Sequence, residues 1–359
     1  MVFSMFNKET SEAIDLLKKM ICIPSFSREE RECADLLEMY ILEKGYKPSR
    51  NGNNIWILGS DFDSSKPTLL LNSHIDTVKP VGGWTCDPFI PVEKEGKLYG
   101  LGSNDAGASV VSLLQVFFLI SKEKQTYNLI FAASAEEEIS GKNGLENLLN
   151  ELPKIDFAIV GEPTGMLLAV AEKGLMVLDC TARGKAGHAA RNEGENAIYK
   201  ALQDIDWFRN YRFLKVSEFL GEVKMSVTQI NAGTQHNVVP DKCRFVVDIR
   251  SNEHYSNEEL LAEISANVSS EVIARSTRLS SSATPLNHPV LAIANKLGIK
   301  IIGSPTLSDQ ALMPFPSVKI GPGQSARSHT ADEYITSTEI GQGIGIYFEL
   351  LNGLNLRST

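Results

Sequence analysis

The chain has 359 residues, two to three times the length of a typical domain of about 100–150, so two domains are expected, each able to bury its own core. A composition of 43% hydrophobic and 22% charged residues is that of a globular protein and excludes wholesale disorder. Thirty-five Lys and Arg against 44 Asp and Glu leave a net charge of −9, and no basic run is able to neutralise a row of phosphates, which argues against nucleic-acid and anionic-membrane partners.

Apolar stretches such as Leu69 to Leu71 and Val116 to Ile120 fall far short of the roughly 18 residues of a membrane span. Met1 to Lys8 lacks a basic segment followed by an apolar one, so no secretory signal is expected. The five cysteines, Cys22, Cys33, Cys86, Cys180 and Cys243, are odd in number and never spaced as CxxC. That argues against a disulfide framework or a thiolate zinc site and favours a reducing, cytoplasmic setting.

Amphipathic spacing predicts a helix over residues 11–21, with Ile14, Leu16, Leu17 and Met20 on one side. Ser27 and Glu30 have the spacing of a capping box ahead of a second helix over 28–43, closed by Gly45. Short apolar runs without alternation at 55–58, 68–71, 128–133 and 157–160 read as strands buried on both faces, separated by helices over 108–120 and 144–149. From about Gly174 alternation takes over, with strands over 175–182, 222–231 and 243–250 and helices over 195–206 and 257–273, the order of a small α+β sandwich. Ser280 to Ser282 and Pro285 mark a return linker. A helix over 290–297, a strand over 317–320 and a helix opened by Thr336 and Glu339 then resume the α/β texture. The expected organisation is a layered α/β domain in two parts, 1–173 and 284–359, with an α+β domain inserted at 174–283.

Two of the six histidines, His74 and His329, sit among acidic residues at predicted strand ends. Asp105, the triplet Glu136 to Glu138, and Glu162 fall at comparable places, where open α/β sheets gather ligands. Two imidazoles and three carboxylates suit one or two borderline divalent ions such as zinc, and a further acid beside an imidazole suits an orienting residue. Singly, each acid reads equally well as a helix cap; the ordered set does not. A serine hydrolase without metal would need a G-x-S-x-G elbow, and none occurs.

Several motifs occur in a fixed order: His74-Ile-Asp76-Thr-Val with Pro80, Trp84 with Asp87-Pro88-Phe89, Leu98-Tyr-Gly leading to Asp105, and Glu136-Glu137-Glu138. Gly161-Glu162-Pro163-Thr164, Gly187-His188, Asn237-Val-Val-Pro240, and Gly321-Pro-Gly with His329 complete the series. With these the chain resembles, over nearly its whole length, the M20 co-catalytic metallopeptidases and amidohydrolases, the family of acetylornithine deacetylase and succinyl-diaminopimelate desuccinylase. The resemblance implies a zinc-peptidase-like catalytic domain interrupted by a ferredoxin-like dimerisation or lid domain. It also implies a cytoplasmic homodimer with one or two zinc ions per subunit, cobalt being the alternative.

Residue by residue, it makes Asp105 the bridging carboxylate, places His74 and Glu162 on one metal and Glu138 and His329 on the other, and puts Asp76 behind the His74 ring. Glu137 becomes the acid/base that takes a proton from the attacking water and delivers it to the leaving amine. The triplet leaves a second register, Glu136 with Glu137, open; the preceding Ser134-Ala135 favours the later pair. His188 is expected to reach the partner subunit's site and stabilise the oxyanion. Asn237, otherwise a turn cap, would be a second polar contributor, and Arg250, otherwise a surface strand residue, a partner for a substrate carboxylate.

The implied reaction is hydrolysis of the N-acyl amide of an N-acyl amino acid, foremost N-acetyl- or N-succinyl-L-ornithine, as in arginine biosynthesis. Succinyl-diaminopimelate desuccinylation, acetyl-lysine deacetylation and small-peptide hydrolysis are alternatives; a metal-retaining sensor is the non-enzymatic one, which the presence of Glu137 disfavours. Leu101 and Gly107 stand where relatives commonly carry an arginine and a lysine, which favours an acetyl group, whereas Lys173, Lys185 and Arg191 are candidate cations for a succinyl group.

Overall fold

The computed structural model describes residues 6–191 and 193–357. The chain divides into two compact units, one of Met1–Val170, Thr284–Ile302 and Ser308–Thr359, the other of Ala171–Ala283 with Gly303–Leu307. The second is therefore inserted in the sequence of the first. The short Gly303–Leu307 stretch, counted with the flanking domain on sequence, groups with the inserted unit because the Lys173 N–H donates to the Ser304 carbonyl.

In the first unit seven strands lie in the order Ser49–Asn51, Asn54–Leu58, Asn128–Ser134, Thr68–His74, Phe157–Val160, Ser317–Lys319 and Leu168–Glu172, the last continuing past Val170 into the residues of the second unit. The middle four are parallel and buried throughout, which is why they read as unbroken apolar runs rather than alternating ones. On one face Leu70, Ile130, Ala158 and Val160 pack with Leu145, Leu148 and Met313. Against the sheet also lies the helix Ala108–Ile120, buried everywhere except Leu119. By length and composition Ser103–Ile120 is apolar enough to cross a membrane, yet 89% of it is buried inside the protein. A helix enclosed by a sheet and by the helices Asn7–Ile21 and Ser337–Leu351 must be apolar all round.

The second unit carries an antiparallel sheet in the order Lys224–Ala232, Lys242–Arg250, Met176–Arg183, Glu271–Ala274, with the helices Ala197–Asn210 and Asn257–Asn267 contributing Ala201, Phe208, Leu260 and Ile264 to its core. This is the split βαβ arrangement of a ferredoxin-like sandwich. One expectation fails here. The helix predicted over 257–273 stops at Asn267, and Glu271–Ala274 is the sheet's fourth strand. Leu260, Ile264, Val268 and Val272 recur every fourth residue and so imitate a continuing helical stripe, but Val268 is extended and Val272 pairs with Cys180.

A second expectation also fails. The helix after Ser27 begins only at Arg31, without a side-chain cap bond. Ser27 instead donates to Asp76, and the fully buried Glu30 accepts from the Arg28 and Glu136 backbone and from Asn53. A spacing that mimics a capping box thus braces the loops described next.

Candidate metal centre

Parallel strands share a direction, so the carboxyl ends of the four central strands open on the same edge. His74 ends one strand; Glu137 and Glu138 follow the strand that ends at Ser134; Glu162 follows the strand that ends at Val160. The strand Ser317–Lys319 leads through Gly321 and Gly323 to His329. Asp105 arrives from the turn ahead of the buried helix, after Gly102 in left-handed conformation (φ 74°), where a Cβ would lie 2.7 Å from Thr77. A cis peptide joins Asp105 to Ala106.

These residues converge. His74 Nε2 lies 3.3 Å from Asp105 Oδ1, 3.7 Å from Glu162 and 3.8 Å from Glu137. His329 Nε2 lies 3.0 Å from Glu138 and 3.7 Å from Asp105 Oδ2. The two oxygens of Asp105 thus face different imidazoles, the disposition of a carboxylate shared between two binding positions. Among the described residues, the donor atoms of His74, Asp105 and Glu138, and those of His74, Glu137 and Glu162, lie within 4.8 Å of one another. The His74 Nδ1–H donates to the Asp76 carbonyl at 2.9 Å, which leaves Nε2 as the coordinating atom. Imidazole nitrogens and carboxylate oxygens at this density fit a divalent ion such as zinc.

Electrostatics agree with that reading. Burial pushes the Glu137 carboxyl well above its usual range, and Glu162, Asp309 and Glu138 add to the effect against the opposing pull of His74. Glu162 is likewise pushed up to about 8, by burial first and by Asp105 and Glu138 besides. Burial alone would lower His74, but Glu137, Asp105, Asp76 and Glu162 hold its pKa well above the ordinary value. The Glu138 carboxylate, bonded to the His329 ring, carries His329 up to about 9. Protons on these groups stand in for positive charge that an acidic cluster needs.

Asp76 does more than stand behind His74. Its Oδ1 accepts the Glu137 N–H at 3.0 Å, and its Oδ2 accepts the Glu138 N–H at 3.1 Å and the Ser27 hydroxyl at 2.7 Å, while the imidazole Nδ1 lies 3.5 Å from Oδ1. The side chain therefore moulds the turn that aims Glu137 and Glu138 apart. Glu136, in left-handed conformation (φ 56°), turns away from the centre and accepts from Asn143.

Two buried acids have roles that motif reading did not assign. Glu333 accepts from the backbone N–H groups of Gly102, Asn104 and Asp105 at 3.1, 2.8 and 2.9 Å, moulding the Asp105 turn. Its position four residues after His329 was the available signal. Asp309 accepts from Asn72 at 2.9 Å and Ser134 at 2.6 Å, tying its loop to the strands that end at His74 and Ser134. Nothing in local sequence announces that, because its partners lie far away in the chain.

Leu101 is buried, and a Cβ at Gly107 would lie 2.5 Å from the Gly102 carbonyl oxygen and 2.7 Å from Leu17, so this wall admits no side chain there. In the second unit, His188 and Asn237 share one small ladder: His188 pairs with Val238, and the Ala189 N–H donates to the Asn237 carbonyl. The exposed His188 accepts the Ala190 N–H at Nδ1, which orients its ring. Arg250 grips Asp248 of its own strand with two bonds of 2.9 and 3.1 Å. The Lys173 ammonium donates to the Glu222 carbonyl, Arg191 lies 3.9 Å from Glu193, and Lys185 pairs through its backbone with Glu195.

The family model "Peptidase family M20/M25/M40" matches residues 70–353. The chain belongs to this family. It is 25% identical over 362 residues to a succinyl-diaminopimelate desuccinylase of Xylella fastidiosa, covering 92% of this chain and 95% of that protein. It is 28% identical over 356 residues to an acetylornithine deacetylase of Proteus mirabilis, covering 90% and 91%. Among solved structures, a dinuclear metal-binding M20 peptidase from Bacillus subtilis superposes with a TM-score of 0.72 at 16% identity, covering 98% of this chain and 99% of that one. As an M20 metallo-hydrolase, the protein has a ready explanation for a cluster of acids and imidazoles that would otherwise repel and desolvate one another at a net cost.

Proposed function

We propose that this M20 amidohydrolase removes the acyl group from an N-acyl amino acid, with N-acetyl-L-ornithine the first choice and N-succinyl-L-ornithine the second. The reading is carried by the placement of Glu137 beside a donor set split across Asp105, and it is supported by relatives whose names specify removal of a small acyl group from an amino acid. His74 and Glu162 would hold one zinc ion, Glu138 and His329 a second, with Asp105 shared. A bound zinc supplies Lewis acidity, lowering the pKa of water and polarising the acyl carbonyl.

Glu137 accepts the proton of the attacking water as its oxygen bonds to the acyl carbon. It returns that proton to the amine nitrogen as the C–N bond breaks, so one carboxyl group serves both halves of the reaction. Asp76 keeps Glu137 in reach, and Glu333 keeps Asp105 in place. The cation-free wall at Leu101 and Gly107 supports acetyl over the additional carboxylate of succinyl. We further propose a cytoplasmic homodimer in which His188 serves the partner's site as an oxyanion donor.

Specificity constants for N-acetyl-L-ornithine, N-succinyl-L-ornithine and N-succinyl-diaminopimelate, with zinc or cobalt added, test the substrate. An ornithine substrate should lead by more than about tenfold, whereas an equal lead for the diaminopimelate compound overturns the assignment. Mixing His188→Ala with Glu137→Gln subunits tests the dimer, since exchange should regenerate one complete site. No recovery despite confirmed exchange removes His188 from that role.

A further inference from the structure

Away from the metal donors, the first unit contains a groove of about 560 Å³, within the range of about 300–1,000 Å³ typical of ligand sites. One wall is the closing helix Ser337–Leu351, another is the loop that follows the helix Pro289–Lys296, and the inner wall is made of 165–167 and 322–324. None of His74, Asp105, Glu138, Glu162 or His329 lines it. Its floor is apolar, with the half-buried Met166, Ile299 and Ile346, the exposed Leu297 lies beside them, and Gly345 adds no side chain from the helix.

Two charges of opposite sign flank this floor from different walls, Lys300 on the loop and Glu349 on the helix. Both are exposed, and among the described residues neither side chain is ion-paired, with the other or with any third group. Glu339, on the same helical stripe, is already committed to Arg327 and Thr336. A lone cation and a lone anion lining the same apolar groove are complementary to a zwitterion with a hydrocarbon body.

We propose that this groove binds a free aliphatic α-amino acid, its carboxylate at Lys300, its ammonium at Glu349 and its side chain on Met166, Ile299 and Ile346. The site is independent of the substrate reading above. It is also placed to be felt by the metal centre. The Gly165 N–H donates to the Gly323 carbonyl at 2.6 Å and the Met166 N–H to the Gly321 carbonyl at 2.9 Å, joining the segments that carry Glu162 and His329. The Gln324 N–H donates at 2.8 Å to Asn104, the neighbour of Asp105. An amino acid seated in the groove therefore rests on the backbone that supports both halves of the metal centre, and it would act there as an effector.

Isothermal titration of the full-length protein with L-leucine tests this. Saturable binding is expected. Lys300→Ala and Glu349→Gln should each weaken it by about tenfold, the loss of one charge-assisted contact, while basal hydrolysis stays unchanged. L-Leucinamide, which lacks the carboxylate, and 4-methylpentanoate, which lacks the ammonium, should bind about tenfold more weakly than L-leucine for the same reason. Ile346→Trp, which fills the floor, should abolish binding. Absence of binding at millimolar leucine overturns the proposal. So does leucine binding that survives all three substitutions, because the amino acid then sits elsewhere, in the metal-centre cleft for instance.

Discussion

Replacing Asp76 by Asn isolates the turn that aims Glu137 and Glu138. The carboxylate accepts three bonds, from the Glu137 N–H, the Glu138 N–H and the Ser27 hydroxyl, and its own pKa is held low, against the cost of burial, by His74, Ser27 and the Glu138 N–H. An amide offers one acceptor oxygen, and its NH2 group would meet a backbone N–H head-on. At least one buried donor then loses its partner, at about 1–3 kcal/mol, and the remaining bonds fall from charge-assisted to neutral strength at about 1 kcal/mol each. The sum is about 3–5 kcal/mol. In a unit of this size each kcal/mol lowers the unfolding midpoint by about 2–4 °C, so calorimetry of the zinc-loaded protein should show a fall of about 6–20 °C. Turnover should drop by about a hundredfold, because Glu137 is no longer aimed, with a smaller loss of metal. Ser27→Ala, which removes only the third bond, should cost about 1 kcal/mol and leave turnover nearly intact. An Asp76→Asn protein with both midpoint and turnover near wild type would refute the reasoning, and an effect confined to metal content would reduce Asp76 to a prop for the His74 ring.

Glu137→Gln should keep its metal and lose turnover by about a hundredfold to ten-thousandfold, whereas Glu136→Gln should remain active because Glu136 is spent on Asn143; the opposite pattern in metal analysis and kinetics would shift the register by one. Glu333→Gln leaves the Gly102, Asn104 and Asp105 amides poorly held, and competition with a chelator should show metal affinity lower by about 10–100-fold; unchanged affinity would remove Glu333 from the support of Asp105. The chelated protein should lose stability as pH rises. His329 at about 9, held up chiefly by its bond to Glu138, and Glu162 and Glu333 at about 8, raised chiefly by burial, bind their protons more tightly folded than unfolded. Their contribution is complete below the unfolded values and disappears as pH climbs through the folded ones. Asp76 and Asp105, both lowered, titrate in acid and do not offset this. Added zinc, which takes the place of those protons, should raise the midpoint more at about pH 9 than at about pH 6; equal gains at both would contradict the account.

Local pattern in the sequence was enough for whatever depends on neighbours along the chain. The strand Phe157–Val160 and the helix Ala108–Ile120 have the bounds that their apolar runs predict, and the capping box of Thr336 and Glu339 opens the closing helix as expected. The acidic and imidazole motifs at strand ends likewise marked His74, Asp105, Glu162, His329 and the triplet that contains Glu138, which the structure gathers into one cluster, while the choice of Glu138 within the triplet rested on the family resemblance. Their convergence follows once the strands are parallel, because parallel strands present their carboxyl ends on a single edge.

Tertiary structure decided the rest, through contacts that no spacing encodes. Ser27 and Glu30 have the form of a helix cap, yet they brace Asp76 and Glu136 across the chain. Val272 continues a helical stripe but pairs in a strand, because the edge of the Met176–Arg183 strand was there to be filled. Asp309 and Glu333 gain their meaning from Asn72, Ser134 and the Asp105 turn, partners separated from them by some 175 to 237 residues. A buried carboxylate must find donors wherever the fold supplies them, and a one-dimensional pattern carries no record of which distant donors will arrive.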